Sequence, residues 1–252
     1  MTTITDPPRV EAVHRALVLL KLMSESGSIS VTEAAQALNV NPSTAQRLLA
    51  TLVGDGFARQ GDQRRYEPGP ELLRPGASRA SSSTRAQARP FLERLYGQVG
   101  ETVHLVTLIG AEAHHIDGIE ASQHAIRFGL RLGVRLPAHQ TSAGKAMLAE
   151  LSDEDLAFRI RVATTRTLSP IPEPDWEKLG RDLELARQQG LATNFEESED
   201  GVAAFGVSLG VVAGERAGLS IAMPISRYRT SDFERFATPL LRAASAFRRR
   251  DH

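Results

Sequence analysis

SVTEAAQALNVNPSTAQRLLATLVGDGFARQGDQRRY, residues 30–66, is the stretch that decides the fold of the first part of the chain. A hydroxyl at Ser30 and a carboxylate three residues later at Glu33 form a capping box, which starts a helix. After a tight turn, Asn41 is predicted to cap a second helix, with Pro42 in the first position, where a missing N–H costs nothing. Apolar residues spaced by three and four carry this helix to about residue 53.

Two short strands are predicted after the second helix, over 57–59 and 65–66, with a polar turn between them. A helix over residues 10–24, with Val13, Leu17, Leu20 and Met23 on one face, completes a winged helix-turn-helix. Proteins of this architecture lay the second helix of the motif in the major groove of DNA. We therefore expect double-stranded operator DNA as a partner, contacted by Thr32, Ser43, Thr44, Gln46, Arg47, Arg64 and Arg65.

Composition sets further bounds on the class of protein. The 252 residues are 41% hydrophobic and 24% charged, which suits one large or two ordinary globular domains. The absence of cysteine excludes disulfides and thiolate metal sites. No apolar run reaches the roughly 20 residues of a membrane span, and the N-terminus lacks the apolar core of a signal peptide, so a cytoplasmic protein without a membrane partner is expected. The formal net charge is zero, but residues 41–66 carry four arginines against two aspartates.

The chain divides into two domains. We predict a disordered tail over 1–8, a DNA-binding domain over 9–72, a helical linker over 73–87 and a second domain over 88–252. Strands in the second domain are predicted at 102–109, 112–119, 125–130, 134–136, 202–209 and 217–224. Helices are predicted at 88–99, from Thr141, from Asp153, at 176–189 and at 231–250. Runs of strands flanked by helices indicate an α+β fold for this domain.

Several motifs together resemble the IclR family of bacterial transcriptional regulators, over nearly the whole chain. They are VHRALVLL at 13–20, STAQRLLATL at 43–52, YEPG at 66–69, GETV at 100–103, LPAHQTSAGKAMLA at 136–149 and the pair Glu196-Glu197 followed by Gly201. The resemblance implies an N-terminal winged helix and a C-terminal effector domain with a GAF-like fold. It also implies homodimers, which in this family often pair into tetramers. We expect dimer contacts on the first helix and near Leu72 and Leu73.

The turn from Thr141 to Gly144 is the predicted centre of the effector site. The free amides and the positive dipole end of a helix start favour an anion, and in the family this turn binds the carboxylate of the ligand. By the resemblance, Asn194 and Ser220 face this turn as neutral hydrogen-bonding groups. The predicted effector-binding residues are Phe128, Leu136, Ser142, Ala143, Gly144, Asn194, Val202, Ala204, Ser220 and Ala222.

The sequence departs from the family pattern at four positions. Asn41 and Pro42 stand where the family often has Pro and a basic residue, Asn194 where it often has Asp, and Ala222 where it has Ser. Small side chains at Ala222 and at Ala204, beside an aromatic one, predict a roomy and apolar pocket. We therefore expect a small organic acid as effector, preferably an aromatic acid or a derivative of one, and no cofactor.

Two other classes of protein stay open. Ser142 and Lys145 have the spacing of a Ser-x-x-Lys nucleophile motif, which would suit a hydrolase, but its companion motifs Ser-Asp-Asn and Lys-Thr-Gly are absent. An architectural DNA-binding protein would need no ligand cavity beside Ser142. A cavity at that position would separate both alternatives from a ligand-responsive regulator.

Histidines raise the question of a metal site. His114 and His115 lie in a predicted strand together with Asp117, and His104 and His139 are two further candidate ligands. Successive strand residues point to opposite faces of a sheet, so His114 and His115 cannot serve one ion. We expect no metal.

Overall fold

The computed structural model of the chain describes residues 10–61, 64–69, 72, 76–165 and 170–251. The chain divides between Ala77 and Ser78 into two compact units. The N-terminal unit contains α1 (Glu11–Ser26), α2 (Val31–Leu38), α3 (Pro42–Gly54) and an antiparallel hairpin of β1 (Ala58–Gln60) and β2 (Tyr66–Pro68). This is the predicted winged helix-turn-helix.

The helix ends of the N-terminal unit follow from local hydrogen bonds. The hydroxyl of Ser30 accepts from the amide of Glu33 at 3.2 Å, and the carboxylate of Glu33 accepts from the amide of Ser30 at 2.7 Å, which confirms the capping box. The prediction that the Asn41 side chain caps α3 is wrong. The amide of Thr44 bonds instead to the backbone carbonyl of Asn41 at 3.0 Å, so the side chain has no role there.

The core of the N-terminal unit gathers where α1, α2 and α3 meet the hairpin. Leu19, Met23 and Leu49 are fully buried in it, and Ile29 pairs through its backbone with Tyr66. Of the residues predicted to share one face of α1, Met23 is buried, whereas Val13 and Leu17 are 55% and 52% exposed. The fully buried core residues of this helix, Leu19 and Met23, lie in its C-terminal half.

The C-terminal unit is built on a six-stranded antiparallel sheet in the order β5-β4-β3-β8-β7-β6. Its elements are α4 (Gly76–Val99), β3 (Thr102–Ile109), β4 (Glu112–Ile119), β5 (Arg135–Pro137), α5 (Ser142–Leu148), α6 (Asp153–Thr164), α7 (Trp176–Gln189), β6 (Ala192–Phe195), β7 (Val202–Val212), β8 (Glu215–Pro224) and α8 (Phe233–Arg248). The α+β class is confirmed. Nowhere in the described ranges is a helix both long and apolar enough to cross a bilayer.

Helices cover both faces of this sheet. On one face, α4 and α8 pack against alternate strand residues such as Leu105, Phe205 and Leu219. On the other face, α5, α6 and α7 form a second core with Val106 and Leu108 of β3. Alternation along β3 therefore sends its side chains into two different cores, as the period of a strand requires.

The first turn of α5 lies directly on strand β7. A Cβ atom added at Gly206 would be 2.2 Å from the backbone nitrogen of Ala143, and one added at Gly144 would be 2.2 Å from the carbonyl oxygen of Ala138. Both positions can therefore hold only glycine without a shift of the backbone. Gly206 thus allows backbone contact between the start of α5 and the sheet, and Gly144 allows the close packing of the helix start against the preceding turn.

Tertiary contacts overrule the local prediction in three segments. The predicted strand over 125–130 is irregular, because the carbonyl of Phe128 accepts from the Thr102 hydroxyl and the amide of Leu130 donates to Glu120. Helix α4 begins at Gly76 instead of residue 88, and its buried Thr84 donates to the carbonyl of Val212. The short edge strand β6 was missed.

One helix cap is displaced by a single residue from its prediction. The hydroxyl of Ser152, and not the carboxylate of Asp153, accepts the amide of Asp155 at the start of α6. Asp153 is the first residue inside the helix. There its negative charge complements the positive end of the helix dipole.

The backbone contact at Gly206 predicts an asymmetric response to alanine. Gly206→Ala should lower the free energy of unfolding by about 1–3 kcal/mol, because the added methyl group overpacks against the backbone of α5. Gly180→Ala, on the exposed surface of α7 with open space around it, should raise this free energy by about 0.5–1 kcal/mol. Urea unfolding of both variants measures the difference, and equal stability of the two would contradict the contact.

Candidate DNA-binding surface and ligand cavity

The exposed face of α3 carries most of the predicted DNA-binding residues. Ser43, Gln46 and Arg47 are exposed, Thr44 is half-buried, and Thr32 is exposed at the start of α2. Within the described ranges, Arg47 forms no ion pair, so its guanidinium is available to a phosphate or a base. This face has the composition expected of a recognition helix.

The two predicted arginines of the wing have different surroundings. Arg64 is exposed and adopts a left-handed backbone with a φ of 59°. Arg65 turns back into its own unit, where Nε donates to the Ser28 hydroxyl at 2.9 Å and the guanidinium pairs with Glu33 at 2.8 Å. Hydrogen bonds from Ser30 and then from Arg65 lower the pKa of the Glu33 carboxyl. The guanidinium of Arg65 thus ties the wing to α2, and the expectation that it lies free for DNA does not fit this geometry.

The C-terminal unit encloses a small cavity between the sheet and the start of α5. Its volume is about 30 Å³. Nine of the ten predicted effector residues line it, namely Phe128, Leu136, Ser142, Ala143, Asn194, Val202, Ala204, Ser220 and Ala222. Residues predicted from five separate stretches of sequence therefore line one cavity.

Small side chains form the floor of this cavity. Antiparallel pairing places His104 opposite Ser220 and Ser220 opposite Gly206, so these three lie in one row across β3, β8 and β7. In the next row, Ala222 lies opposite Ala204. The missing side-chain volume at these positions leaves the space above the sheet that the cavity occupies.

Gly144 is the predicted site residue that does not line the cavity. Its amide donates to the Thr141 hydroxyl at 3.1 Å, which caps α5, and its Cα lies against the turn before the helix. The amide of Gly144 is therefore already used and cannot hold a ligand. The amides of Ser142 and Ala143 remain as the donors of this turn.

Asn194 lines the cavity, but its amide group is occupied by the protein. Its Nδ2 donates to the carbonyl of Gln140 at 2.8 Å and to the hydroxyl of Ser198 at 2.7 Å. Its Oδ1 accepts from the amide of Glu197 at 2.9 Å. Both donors are thus used, and Asn194 braces the loop after β6 instead of presenting its amide to a ligand.

Five polar residues that line the cavity were missed as site residues, namely His104, His115, Arg131, Thr141 and Ser198. The Arg131 guanidinium lies 4.9 Å from the ring centre of Phe128 and pairs with Glu199. Strand alternation alone could have placed His104 on this face of β3. No sequence signal could place Arg131, because its loop between β4 and β5 is irregular.

Two buried histidines stand side by side at one wall. The rings of His104 and His115 are 5.1 Å apart, and Nε2 of His104 has no hydrogen-bond partner in the part of the chain that is described. Burial, followed by the nearby His115 and Arg131, lowers the pKa of His104 to about 3, so its ring is neutral. Burial also lowers the pKa of His115. The described residues contain no cluster of three metal-ligating side chains.

The cavity differs in size and polarity from the predicted one. A volume of about 30 Å³ is that of one water molecule in the liquid, so the expected roomy pocket is absent from this structure. Phe128 and Arg131 close it from the loop, and the two histidines fill the space beside Ser220. The small residues Ala204 and Ala222 line the cavity as expected, but the sequence did not predict that Arg131 and the two histidines also line it.

Lys145 cannot act as the base of a Ser-x-x-Lys pair. Its buried ammonium lies 2.8 Å from Asp182 and 2.7 Å from Glu197 and is engaged as the ion-pair partner of both carboxylates. A base must be neutral to accept a proton from a serine hydroxyl. The hydrolase alternative therefore has no support in this geometry.

Comparisons with known proteins agree with this arrangement. The model of the IclR helix-turn-helix domain matches residues 12–62, and that of the bacterial transcriptional regulator IclR C-terminal region matches residues 79–249. The transcriptional repressor IclR of Escherichia coli (strain K12) is 32% identical over 248 residues, which covers 94% of this chain and 88% of the repressor.

Solved structures show the same fold. An IclR transcriptional regulator from Alicyclobacillus acidocaldarius matches with a TM-score of 0.67 and 27% identity, over 96% of this chain and 99% of that one. An IclR homolog from Microbacterium hydrocarbonoxydans, solved in complex with 4-hydroxybenzoate, matches with a TM-score of 0.68 and 20% identity, over 94% and 98%.

A helix-turn-helix unit and a second unit with a polar cavity define a DNA-binding transcriptional regulator and not an enzyme. The chain belongs to the IclR family of bacterial transcriptional regulators, which confirms the resemblance seen in the motifs.

The buried neutral state of His104 predicts a pH dependence of stability. The unfolded chain takes up a proton near pH 6.5 and the folded chain only near pH 3, so stability falls as the pH drops from about 6.5 to 3. Between pH 7 and 5, wild type should lose about 2 kcal/mol more than His104→Gln, which has no such group. Urea unfolding at both pH values tests this, and equal losses in the two proteins would show that His104 is charged when folded.

Proposed function

We propose that this protein is a repressor whose C-terminal unit binds a small organic acid and thereby changes its affinity for operator DNA. The observation that carries the proposal is the cavity beside Ser142, where the guanidinium of Arg131 and two free amides of α5 offer positive potential. Cationic and amide donors around one enclosed space favour a carboxylate. Binding to chromosomal DNA places the protein in the bacterial cytoplasm.

The effector is proposed to be an aromatic acid or a derivative of one. The ring of Phe128 and the small floor at Ala204 and Ala222 supply the apolar contacts for an aromatic ring. The homolog from Microbacterium hydrocarbonoxydans was solved in complex with 4-hydroxybenzoate, which supports the choice of an aromatic acid. A ring exceeds the present volume of about 30 Å³, so binding requires an outward movement of the loop that carries Phe128 and Arg131.

The acting form is proposed to be a homodimer that reads a near-palindromic operator, with dimers of dimers as a further assembly. A single helix-turn-helix binds weakly, and two-fold symmetry matches two half-sites. Val10, Val13 and Leu17 form an exposed apolar stripe at spacings of three and four along α1, which suits a dimer contact. Leu72 is half-buried, and Leu73, also predicted at the contact, lies outside the described residues.

The DNA-binding surface predicts separate effects for individual arginines. Arg47→Ala and Arg64→Ala should each weaken operator binding and lower the salt slope by about one unit, because each removes a phosphate contact. Arg65→Ala should chiefly lower the melting temperature, because its guanidinium bonds to Ser28 and Glu33.

Fluorescence anisotropy across a salt series measures the slope. Arg181→Ala, on the exposed surface of α7, is the control and should leave it unchanged. Unaltered binding by both Arg47→Ala and Arg64→Ala would exclude this surface as the DNA contact.

The ligand cavity predicts an effect of one specific arginine. Arg131→Gln should weaken binding of benzoate or 4-hydroxybenzoate about 10- to 100-fold, because it removes a charge-assisted hydrogen bond to the carboxylate. Arg181→Gln, at an exposed position of the same unit that does not line the cavity beside Ser142, should bind as wild type does. Ser142→Trp should abolish binding, because its ring fills the cavity.

Calorimetry with benzoate, 4-hydroxybenzoate, pyruvate and glyoxylate also decides the ligand class. Tight binding of a two- or three-carbon keto acid without any binding of an aromatic acid would overturn the aromatic assignment. A normal ligand response in Ser142→Trp would show that the site lies elsewhere.

A further inference from the structure

The cavity beside Ser142, here called the effector cavity, is lined by polar groups that differ in what they can donate and accept. The guanidinium of Arg131 and the free amides of Ser142 and Ala143 can only donate hydrogen bonds. A hydroxyl group, such as that of Ser220, rotates and can do either. A fixed acceptor in the wall would therefore decide which donor a ligand has to carry.

His115 of β4 lies in the wall of this cavity. It pairs with Val106 of β3 across the antiparallel ladder, and directly opposite residues project from the same face of a sheet. Val106 also lines the cavity, so the imidazole of His115 is on the cavity face of β4. The residue is buried but not completely, with 8% of its surface exposed.

One hydrogen bond fixes which ring nitrogen of His115 carries the proton. Nδ1 lies 3.3 Å from the carbonyl oxygen of Val134, and a carbonyl can only accept, so the hydrogen is on Nδ1. Burial lowers the pKa of His115, so the ring is neutral and holds a single N–H. Nε2 is therefore an unprotonated nitrogen whose lone pair can only accept.

The acceptor at Nε2 of His115 has no partner within the protein. None of the described residues donates a hydrogen bond to it. Nε2 of the neighbouring His104 is enclosed without accessible surface, whereas Nε2 of His115 is not among the enclosed atoms. The nearby charge of Arg131 lowers the pKa of both histidines, so a cationic donor is disfavoured beside them and a neutral O–H group is favoured.

We propose that the effector of this cavity carries a hydroxyl group, which donates a hydrogen bond to Nε2 of His115. This inference rests on the proposed function, because it concerns the ligand of the same cavity. The carboxylate of the ligand binds to Arg131 and to the amides at the start of α5, which are donors, while its hydroxyl binds to the acceptor. The ligand class is thereby a hydroxylated organic acid, and His115 is the residue that selects it.

An acid without the hydroxyl group leaves the His115 acceptor unpaired inside a closed cavity. An unpaired buried acceptor has lost its water without a replacement, which weakens binding. Sites that hydrogen-bond a substrate hydroxyl discriminate strongly against analogues that lack it. A methoxy group brings an oxygen without a hydrogen against the lone pair of Nε2, so a methoxy acid should bind no better than the unsubstituted acid.

Calorimetry of the full chain with benzoate, the three hydroxybenzoates and the three methoxybenzoates tests this selection. The hydroxybenzoate that binds best should bind wild type about 10-fold tighter than benzoate and than its methoxy counterpart. His115→Phe, which keeps a ring but has no acceptor, should lose this preference and still bind benzoate. His115→Gln, which keeps an amide oxygen as acceptor, should retain part of it. His14→Phe, in α1 of the DNA-binding unit, is the matched control and should behave as wild type.

A second pair of ligands separates this inference from the proposed aromatic class. Lactate and pyruvate are both three-carbon acids, but lactate has a hydroxyl group where pyruvate has a keto oxygen. Tight binding of lactate over pyruvate, without binding of any aromatic acid, would overturn the aromatic assignment and support the role of His115. Absence of binding by every acid of both panels would overturn the proposed function itself, and this inference with it.

Histidine-selective nitrogen NMR of wild type tests the acceptor without any variant. Nε2 of His115 should have the chemical shift of an unprotonated nitrogen in the free protein. This signal should move when the best hydroxybenzoate is added and move less with benzoate. The inference is overturned if Nε2 is protonated in the free protein, if wild type binds benzoate as tightly as every hydroxybenzoate, or if the hydroxyl preference survives in His115→Phe.

Discussion

The structure of the C-terminal unit depends on the backbone contact between the start of α5 and strand β7. Glycine at 206 removes the side chain that would hold these segments apart, and glycine at 144 lets the helix start lie against the carbonyl of Ala138 in the preceding turn. Because the contact is made by backbone atoms, an added methyl group at residue 206 would displace the helix start. The contact thereby sets the distance between the sheet and the residues of α5.

The surroundings of α5 on both of its sides follow from this placement. On one side of α5, the amides of Ser142 and Ala143 face the small residues of β7 and β8 across the narrow effector cavity. On the other side, Lys145 enters the interior and gathers Asp182 and Glu197 around its ammonium group. Asn194 stands between the two and has its amide fully engaged on both sides. One short helix therefore borders the effector cavity on one side and this group of ion pairs on the other.

The N-terminal unit follows a simpler logic, since most of its structure is local. The capping box at Ser30, the left-handed turn at Asn39 and the apolar spacing of α3 each depend on residues that are close together in the sequence. Arg65 is the exception, because its bonds to Ser28 and Glu33 span more than thirty residues of chain. From the sequence alone, Arg65 is a residue of the wing. Only the folded structure shows that its guanidinium pairs with Glu33 of α2.

The sequence by itself determined the family, the two-part architecture, most helices and strands, and nine side chains that meet around one cavity. These features depend on periodicity, capping and motif order, which are properties of neighbouring residues. The tertiary structure alone decided that Arg131 lines the cavity and that Nε2 of His104 is buried without a hydrogen-bond partner among the described residues. It also decided that the amide groups of Gly144 and Asn194 form hydrogen bonds within the protein. It also decided the cavity's volume, because that depends on which large side chains from distant segments fill the same space. Steric exclusion and hydrogen-bond competition between distant residues leave no periodic signal in a sequence.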